Sequence, residues 1–467
     1  MGYVRPTVRE AFAMRAASLL VCLTLFPAWG LAADAPAPLL VQPTTATLYG
    51  HRSSEQLIVS DELTAGTFAD VTLQATYEST FPSVALVTSS GLIVPRAHGT
   101  TEIIVRIGQR QGRVPVEVRD YDRPDRVDFN TDVIAALSKA GCNQGSCHGS
   151  PQGKNGFRLS LRGFDPELDF MTLTHEDFGR RTNSSSAGES LILKKGLGEV
   201  PHQGGRRFRT TDPEYQILRA WIDAGCQPSP VPPPPVANPK PGQPVPAPLP
   251  RLVKLEVLPG SRRVPASHPK QQLIARAHFS DGRIRDVTSL CVFSTNEKDA
   301  AVVSNSGLVE FNRTAEVSFL VRYLDRISSV RLSYLQLDPA FAFHSPPEVN
   351  AVDHHVFAKQ RELLLLPAEV CKDDIFLRRV YLDVTGTLPT PEEAKKFLDA
   401  PDSQKRARLI DELLERDDYA EYWALKWADL MRGSDVTISR RGVHSFHRYL
   451  IQRFRDDRPF DEFARET

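Results

Sequence analysis

A chain of 467 residues with 57 Lys plus Arg against 57 Asp plus Glu has a formal charge of zero, which leaves no electrostatic footprint for a nucleic acid or an anionic membrane. The length implies roughly three or four domains. Six cysteines are too few to build a fold from disulfides.

Residues 1–33 read as a signal peptide. Arg15 precedes an apolar run from Ala16 to Pro27, and Trp29-Gly-Leu-Ala-Ala33 offers small residues for cleavage before Asp34. Met14-Arg15 would make a more compact start. The run is too short for a bilayer span, and no other stretch is long enough. Cys22 leaves with the leader, and the Leu-Leu-Val before it lacks the small residues of a lipidated cysteine. The expected location is therefore the periplasm or cell surface of a bacterium.

Over 38–120, apolar positions alternate in Val71-Thr-Leu-Gln-Ala75 and Glu102-Ile-Ile-Val-Arg-Ile107, with Gly and Ser between runs, which predicts strands. The pattern returns over 251–338. Asp70-Val-Thr recurs as Asp286-Val-Thr, and Ser90-Gly-Leu as Ser306-Gly-Leu, at one shared offset. Each copy ends in an alternating strand, Arg113 to Val118 and Ser328 to Leu335. Two all-β repeats of fewer than about 100 residues predict Ig-like sandwiches.

The segment between the copies, 125–227, differs. It opens on a helical pattern, Val133 to Ala140, and closes on another, Pro213 to Ile222, which ends at Gly225. Asp212 is placed as N-cap with Pro213 at the first helical position. The proline-rich stretch 228–250 reads as a stiff extended linker. From 345 to 467 the pattern is helical. Thr390-Pro-Glu-Glu393 forms a capping box, and Lys405 to Leu414 and Tyr419 to Met431 continue the periodicity. Phe460 to Thr467 stops inside a helical pattern, so the chain reads as the front part of a longer protein.

The chemistry is concentrated in Ala140-Gly-Cys142-Asn-Gln-Gly-Ser-Cys147-His148-Gly. Two thiols can each add to a haem vinyl group, and the imidazole that follows can reach the iron from one face. Usually two residues separate the cysteines; here there are four. A disulfide between Cys142 and Cys147, or of one with Cys226, remains an alternative. So does a zinc clip from Cys142, Cys147, His148 and His202. Cys291 and Cys371 read as core residues. In the helical part, Trp423 and Trp427 lie one turn apart and read as core. Arg378, Arg379 and Asp383 read as a solvated or buried structural cluster. His444 and His447 share a face but lack a third ligand. No Ser-His-Asp order, phosphate loop or dinucleotide fingerprint is present, so the chain reads more as an electron carrier than as a catalyst.

Several of these stretches resemble known families. Val84-Ala-Leu-Val-Thr-Ser-Ser-Gly91-Leu with His98-Gly-Thr-Thr-Glu-Ile-Ile-Val resembles the bacterial Ig-like group 2 domain, and Ala301-Val-Val-Ser-Asn-Ser-Gly307-Leu is similar. The resemblance implies surface or periplasmic scaffolding, with a polysaccharide or cell-surface ligand as partner. Cys142, Cys147, His148 and Gly149, with Asn155-Gly-Phe-Arg-Leu-Ser-Leu, resemble the planctomycete cytochrome C family. That implies a mainly α, cytochrome c-like domain with one covalent haem c, and an unidentified redox partner. In related domains a Met-Pro-Pro turn supplies the second iron ligand. Here the equivalent stretch is Val200-Pro201-His202, so the resemblance points to His202 in a glycine-rich loop, with Met171 or His175 as alternatives. Two imidazoles imply a lower potential than His/Met ligation and no open coordination position. Arg206 and Arg207 would then lie near the haem propionates. Phe376-Leu-Arg-Arg-Val-Tyr-Leu-Asp383 and Tyr422-Trp-Ala-Leu-Lys-Trp427-Ala-Asp429-Leu-Met-Arg432 resemble the helical domain of unknown function that accompanies this cytochrome family. The expected architecture is multidomain: two all-β Ig-like sandwiches, one cytochrome c-like domain and one mainly α C-terminal domain.

Overall fold

The structure is a computed structural model that describes residues 39–64, 66–123, 126–230, 250–336 and 340–467. The signal peptide and most of the proline-rich linker lie outside the described residues. The chain divides into two compact units, Met1–Phe341 and Ala342–Thr467.

Both repeats in the first unit are strand-built. In the first, Ala46–Tyr49, Arg110–Arg119, Gly99–Ile107 and Thr76–Ser79 form a four-stranded sheet. It closes over a core that includes Leu48, Val59, Ile93, Ile103 and Val114. In the second, Ala315–Tyr323 and Arg326–Leu335 pair antiparallel over Val264, Leu273, Val309, Phe319 and Leu332. Cys291 is fully buried there, as its sequence context predicts.

One predicted strand is a turn. Val71 and Ala75 are buried, but Leu73 is 70 % exposed and Thr72–Gln74 is a 3-10 turn. The cause is Asp70. Its Oδ1 accepts from both the amide (2.9 Å) and the hydroxyl of Thr72, which winds the chain where alternation alone would extend it. Asp286 does the same to Thr288.

The other oxygen of each aspartate crosses to the other repeat. Asp286 Oδ2 accepts the Gln56 amide at 2.8 Å, and Asp70 Oδ2 accepts the Gln272 amide at 2.6 Å. The exchange is reciprocal, as in a twofold dimer, but within one chain. A seven-stranded sheet runs through both repeats, joined where Arg263 pairs with Thr67.

The segment between the repeats forms a small helical body. A turn of π-helix over Phe129–Val133, capped by the Asp128 side chain, leads into α1 (Ile134–Lys139). There follow α2 (Pro166–Thr174), α3 (Leu191–Leu197) and α4 (Pro213–Asp223). Asp212 stands at the N-cap position and Pro213 opens α4 as expected, but the Asp212 carboxylate accepts from the Arg209 amide and not from an amide of the helix. Helix α1 packs on α4. Phe129 meets Phe170 and Trp221, each at 5.2 Å between ring centroids.

This body docks on the second repeat. Ala135 is part of that repeat's core. Tyr323 Oη donates to Thr131 O at 3.0 Å, Arg285 pairs with Asp132 at 2.8 Å, and Lys139 Nζ donates to the carbonyls of Cys291 and Asn305.

The second unit is helical: α5 (Ala351–Glu362), α6 (Asp373–Thr385), α7 (Pro391–Asp399), α8 (Lys405–Leu414), α9 (Asp417–Leu430), α10 (Asp435–Arg455) and α11 (Phe460–Glu466). The Thr390/Glu393 capping box forms in both directions. Leu377, Tyr381, Phe397 and Leu413 make one core, and Ala424, Leu450 and Phe463 another. Trp423 and Trp427 are only half-buried, with Trp423 Nε1 donating to Val384 O. Arg378, Arg379 and Asp383 are exposed. Cys371 departs from expectation: it is half-buried in the stretch before α6, because its role there is through its carbonyl, which accepts from Arg406.

Candidate functional site

The cysteine motif leaves α1 as a series of tight turns. The Cys142 amide bonds Leu137 O, the Cys147 amide bonds Gln144 O, and the His148 amide bonds Cys142 O. The four residues between the cysteines therefore form a turn that folds His148 back onto Cys142. Gly149 is required here: a Cβ would sit 2.2 Å from Asn143 O. Asn143 itself is fully buried and donates to Ser138 Oγ at 2.8 Å.

His148 is held from behind by a second turn. Its Nδ1 meets Phe157 O at 3.0 Å, and its ring lies 4.3 Å from the Phe157 ring. Arg181 fixes that turn in place. It is 5 % exposed, covers the Phe157 ring at 4.8 Å, and donates to Gly156 O (2.8 Å), Thr172 O (2.7 Å) and Asp177 Oδ2 (2.7 Å). Burial lowers the His148 pKa below the usual imidazole range, which keeps the ring neutral with a lone pair to give.

His202 comes from the loop after α3. That loop returns to the helix because the Arg207 amide bonds Gly196 O at 2.7 Å, over a glycine whose Cβ would collide with the Phe208 ring at 2.1 Å. Lys195 Nζ holds Pro201 O at 2.6 Å. His202 Nδ1 meets Gly205 O at 2.9 Å.

The two imidazoles thus share one arrangement. Each Nδ1 faces a backbone carbonyl, so each neutral ring carries its proton there and its lone pair on Nε2. Their planes are within 1° of parallel and their centroids 6.3 Å apart. A carbonyl on the other ring nitrogen is the usual support of a metal-ligating histidine.

Both rings line a cavity of about 560 Å³, as do Cys142, Cys147, Phe157, Ile192 and Arg207. That is the size of a cofactor site. Arg207 Nη2 lies 3.2 Å from Cys147 Sγ. Burial pushes the Cys142 thiol up to about 12. Each of the five described cysteines is a free thiol. Among the described residues, no three His, Cys, Asp or Glu side chains come together as the ligands of a metal ion, so the four zinc-type side chains are not assembled as a clip. Two thiols and two imidazoles on one cavity wall are the side chains that covalent haem attachment would need.

The alternatives to His202 lie elsewhere. Met171 is 46 % exposed on α2, and His175 bonds the Thr174 hydroxyl; neither lines the cavity. Arg207 lines it, and Arg206 does not. Phe157 lies in the Asn155-Gly-Phe stretch that the sequence singled out without a role for it, whereas Arg181 and Lys195 carry no motif and are identified only by their neighbourhood in the fold. In the second unit His444 lines a shallow depression with Arg440, Arg441 and Arg448.

Comparison with known proteins places the outer parts of the chain. Residues 351–467 match the PSCyt2 family, described as a protein of unknown function (DUF1549), and residues 73–120 match the bacterial Ig-like domain, Big-like. No curated protein matches. Among solved structures, domains 5-6 of the S-layer protein SbsC are 10 % identical with a TM-score of 0.25, covering 64 % of this chain and 97 % of that one. The S-layer protein rSbsC(31-844) is 11 % identical with a TM-score of 0.17, covering 61 % of this chain and 23 % of that one. Scores this low do not establish a common architecture. No helix among the described residues is long and apolar enough to cross a membrane. The chain is multidomain, with a bacterial Ig-like domain in its β-rich N-terminal part and a helical PSCyt2-family domain at its C-terminal end.

Proposed function

We propose that the chain is an exported c-type cytochrome that carries electrons, with a cytochrome c-like domain over 125–227. The observation that carries this reading is the parallel His148/His202 pair, each ring backed by a carbonyl, in the cavity that Cys142 and Cys147 also line. Cys142 and Cys147 would hold haem c through thioethers, and His148 and His202 would bind its iron. Such a group supplies one-electron chemistry when bound. The chain's own residues orient the two imidazoles, keep His148 neutral by burial and wall the cavity with apolar and cationic side chains.

Expression of the full chain with a cytochrome c maturation system tests this. The expected result is a haem adduct on the peptide containing Cys142 and Cys147 and a low-spin c-type spectrum. His202→Ala should keep the adduct, turn the spectrum high-spin or ligand-accepting, and raise the potential. Met171→Ala and His175→Ala should do neither. Colourless protein whose peptide is two hydrogens lighter than the reduced form would replace the cytochrome with a haem-free surface binding protein stapled by a disulfide.

A further inference from the structure

The chain is electrically balanced, 57 basic against 57 acidic residues, but the cavity wall is not. Lys154, Arg180, Arg181, Lys195 and Arg207 line it, against one lining carboxylate, Asp177. Asp177 is taken up by Arg181 at 2.7 Å. Lys195 and Arg207 donate to Pro201 O and Cys147 Sγ, not to a carboxylate. Lys154 and Arg180 are exposed. None of these four has a carboxylate partner among the described residues. Arg206, next to the wall, is exposed as well.

Haem brings two propionate carboxylates, which would offset two of the four uncompensated charges. Lys195 and Arg207 lie deeper in the wall and suit that task. Lys154 and Arg180 are then left over at the solvent edge, a local excess of positive charge on a chain that becomes slightly acidic once Arg5, Arg9, Arg15 and Glu10 leave with the signal peptide. We infer that this edge is the docking face for the redox partner, and that the partner is a protein acidic on the surface it presents. The inference rests on the haem reading. Surface charges of this kind act on encounter more than on affinity, raising association rates by about 10- to 1000-fold in a salt-dependent way.

The test uses the haem-loaded full chain in its reduced form and two small oxidants of opposite charge. One electron leaves the ferrous protein and reduces ferricyanide, a trianion, to ferrocyanide. In a parallel arm it reduces tris(phenanthroline)cobalt(III), a trication, to cobalt(II). Raising ionic strength from about 0.01 to 0.15 M shortens the screening length from about 30 to 8 Å. The ferricyanide rate should fall about tenfold over that range and the cobalt rate should rise or stay level. Lys154→Glu with Arg180→Glu should cost about tenfold in the low-salt ferricyanide rate and favour the cobalt complex. Adduct mass and low-spin spectrum confirm that the double variant is loaded and folded; should it fail to load, Lys154→Gln alone must show a smaller change of the same sign. A loaded protein whose ferricyanide rate ignores both salt and substitution overturns the inference alone, as does one that prefers the cation. A protein that takes no haem overturns the haem reading, and this inference with it.

Discussion

Arg181 decides where His148 can point, and it does so through backbone. Its guanidinium serves Gly156 O, Thr172 O and Asp177 at once, a fork that a lysine ammonium on a flexible stem cannot reproduce. Arg181→Lys is expected to destabilise the first unit by about 2–3 kcal/mol, the worth of one charge-assisted hydrogen bond lost in a buried setting, measured by urea unfolding. It should also loosen Phe157 O from His148 Nδ1. Ring nitrogen shifts by NMR would then show His148 mixing tautomers, where the parent holds Nδ1–H. Unaltered tautomers would mean the Phe157 turn stands without Arg181. Nothing in the sequence marks this residue, since its partners are backbone atoms brought together by α2 and the turn at 154–157. That Cys142, Cys147 and His148 share a cavity wall was legible because they stand together in the sequence. That His202 joins them was suggested only by a resemblance; its ring orientation depends on Lys195, Gly196 and Gly205, and no spacing rule encodes it.

At the scale of elements, the repeats were readable and their pairing was not. The shared offset of Asp70-Val-Thr and Asp286-Val-Thr shows a duplication. It does not say that each aspartate bends its own chain and then accepts an amide from the other copy. The local bond, from Asp70 Oδ1 to Thr72, is what made alternation mislead at Val71 to Ala75, where a side chain competes for the backbone. Asp286→Ala should cost about 1–3 kcal/mol through the orphaned amides of Gln56 and Thr288, and Asp70→Ala a similar amount. The two losses should fall short of additive, because either one opens the same interface.

The interface also carries a titrating group. Glu55 is 1 % exposed and lies 2.9 Å from Arg276, and its place is taken by Gln271 in the second repeat. Burial, aided by the neighbouring Asp286 charge, outweighs Arg276 and raises the Glu55 carboxyl to about 8. A carboxyl raised on folding stabilises fully below its unfolded value near 4.5, and that contribution is lost as pH rises through about 8. Stability of the first unit should therefore decline between those limits. Glu55→Gln, which repeats the residue of the second copy, should flatten that slope and gain stability at the alkaline end. A slope unchanged by the substitution would assign the pH dependence to other groups.

On the scale of the whole first unit, the helical body is clasped and not merely tethered. It is spliced between two repeats that grip each other, and it rests on the second through α1, the turn before it and α4, whose Ile217 packs against the second repeat's core. The polar part of that contact is directional: Tyr323 to Thr131 O, Arg285 to Asp132, and Lys139 to two carbonyls of the second repeat, with its ammonium 5.2 Å from the Phe293 ring. A cation that donates to two carbonyls beside an aromatic face is worth about 1.5–3 kcal/mol, while Ala135 in the shared core supplies little apolar area of its own. Lys139→Ala should therefore release α1 from the second repeat without unfolding either. Amide exchange in α1 and at the carbonyl-bearing stretch around Cys291 should quicken about 10- to 100-fold, at about 1.4 kcal/mol per factor of ten. The strands of 39–120 should keep their protection, since the Asp70/Asp286 exchange does not involve Lys139. Uniform quickening across the first unit would show that body and repeats open together, and that docking through α1 is part of one cooperative fold.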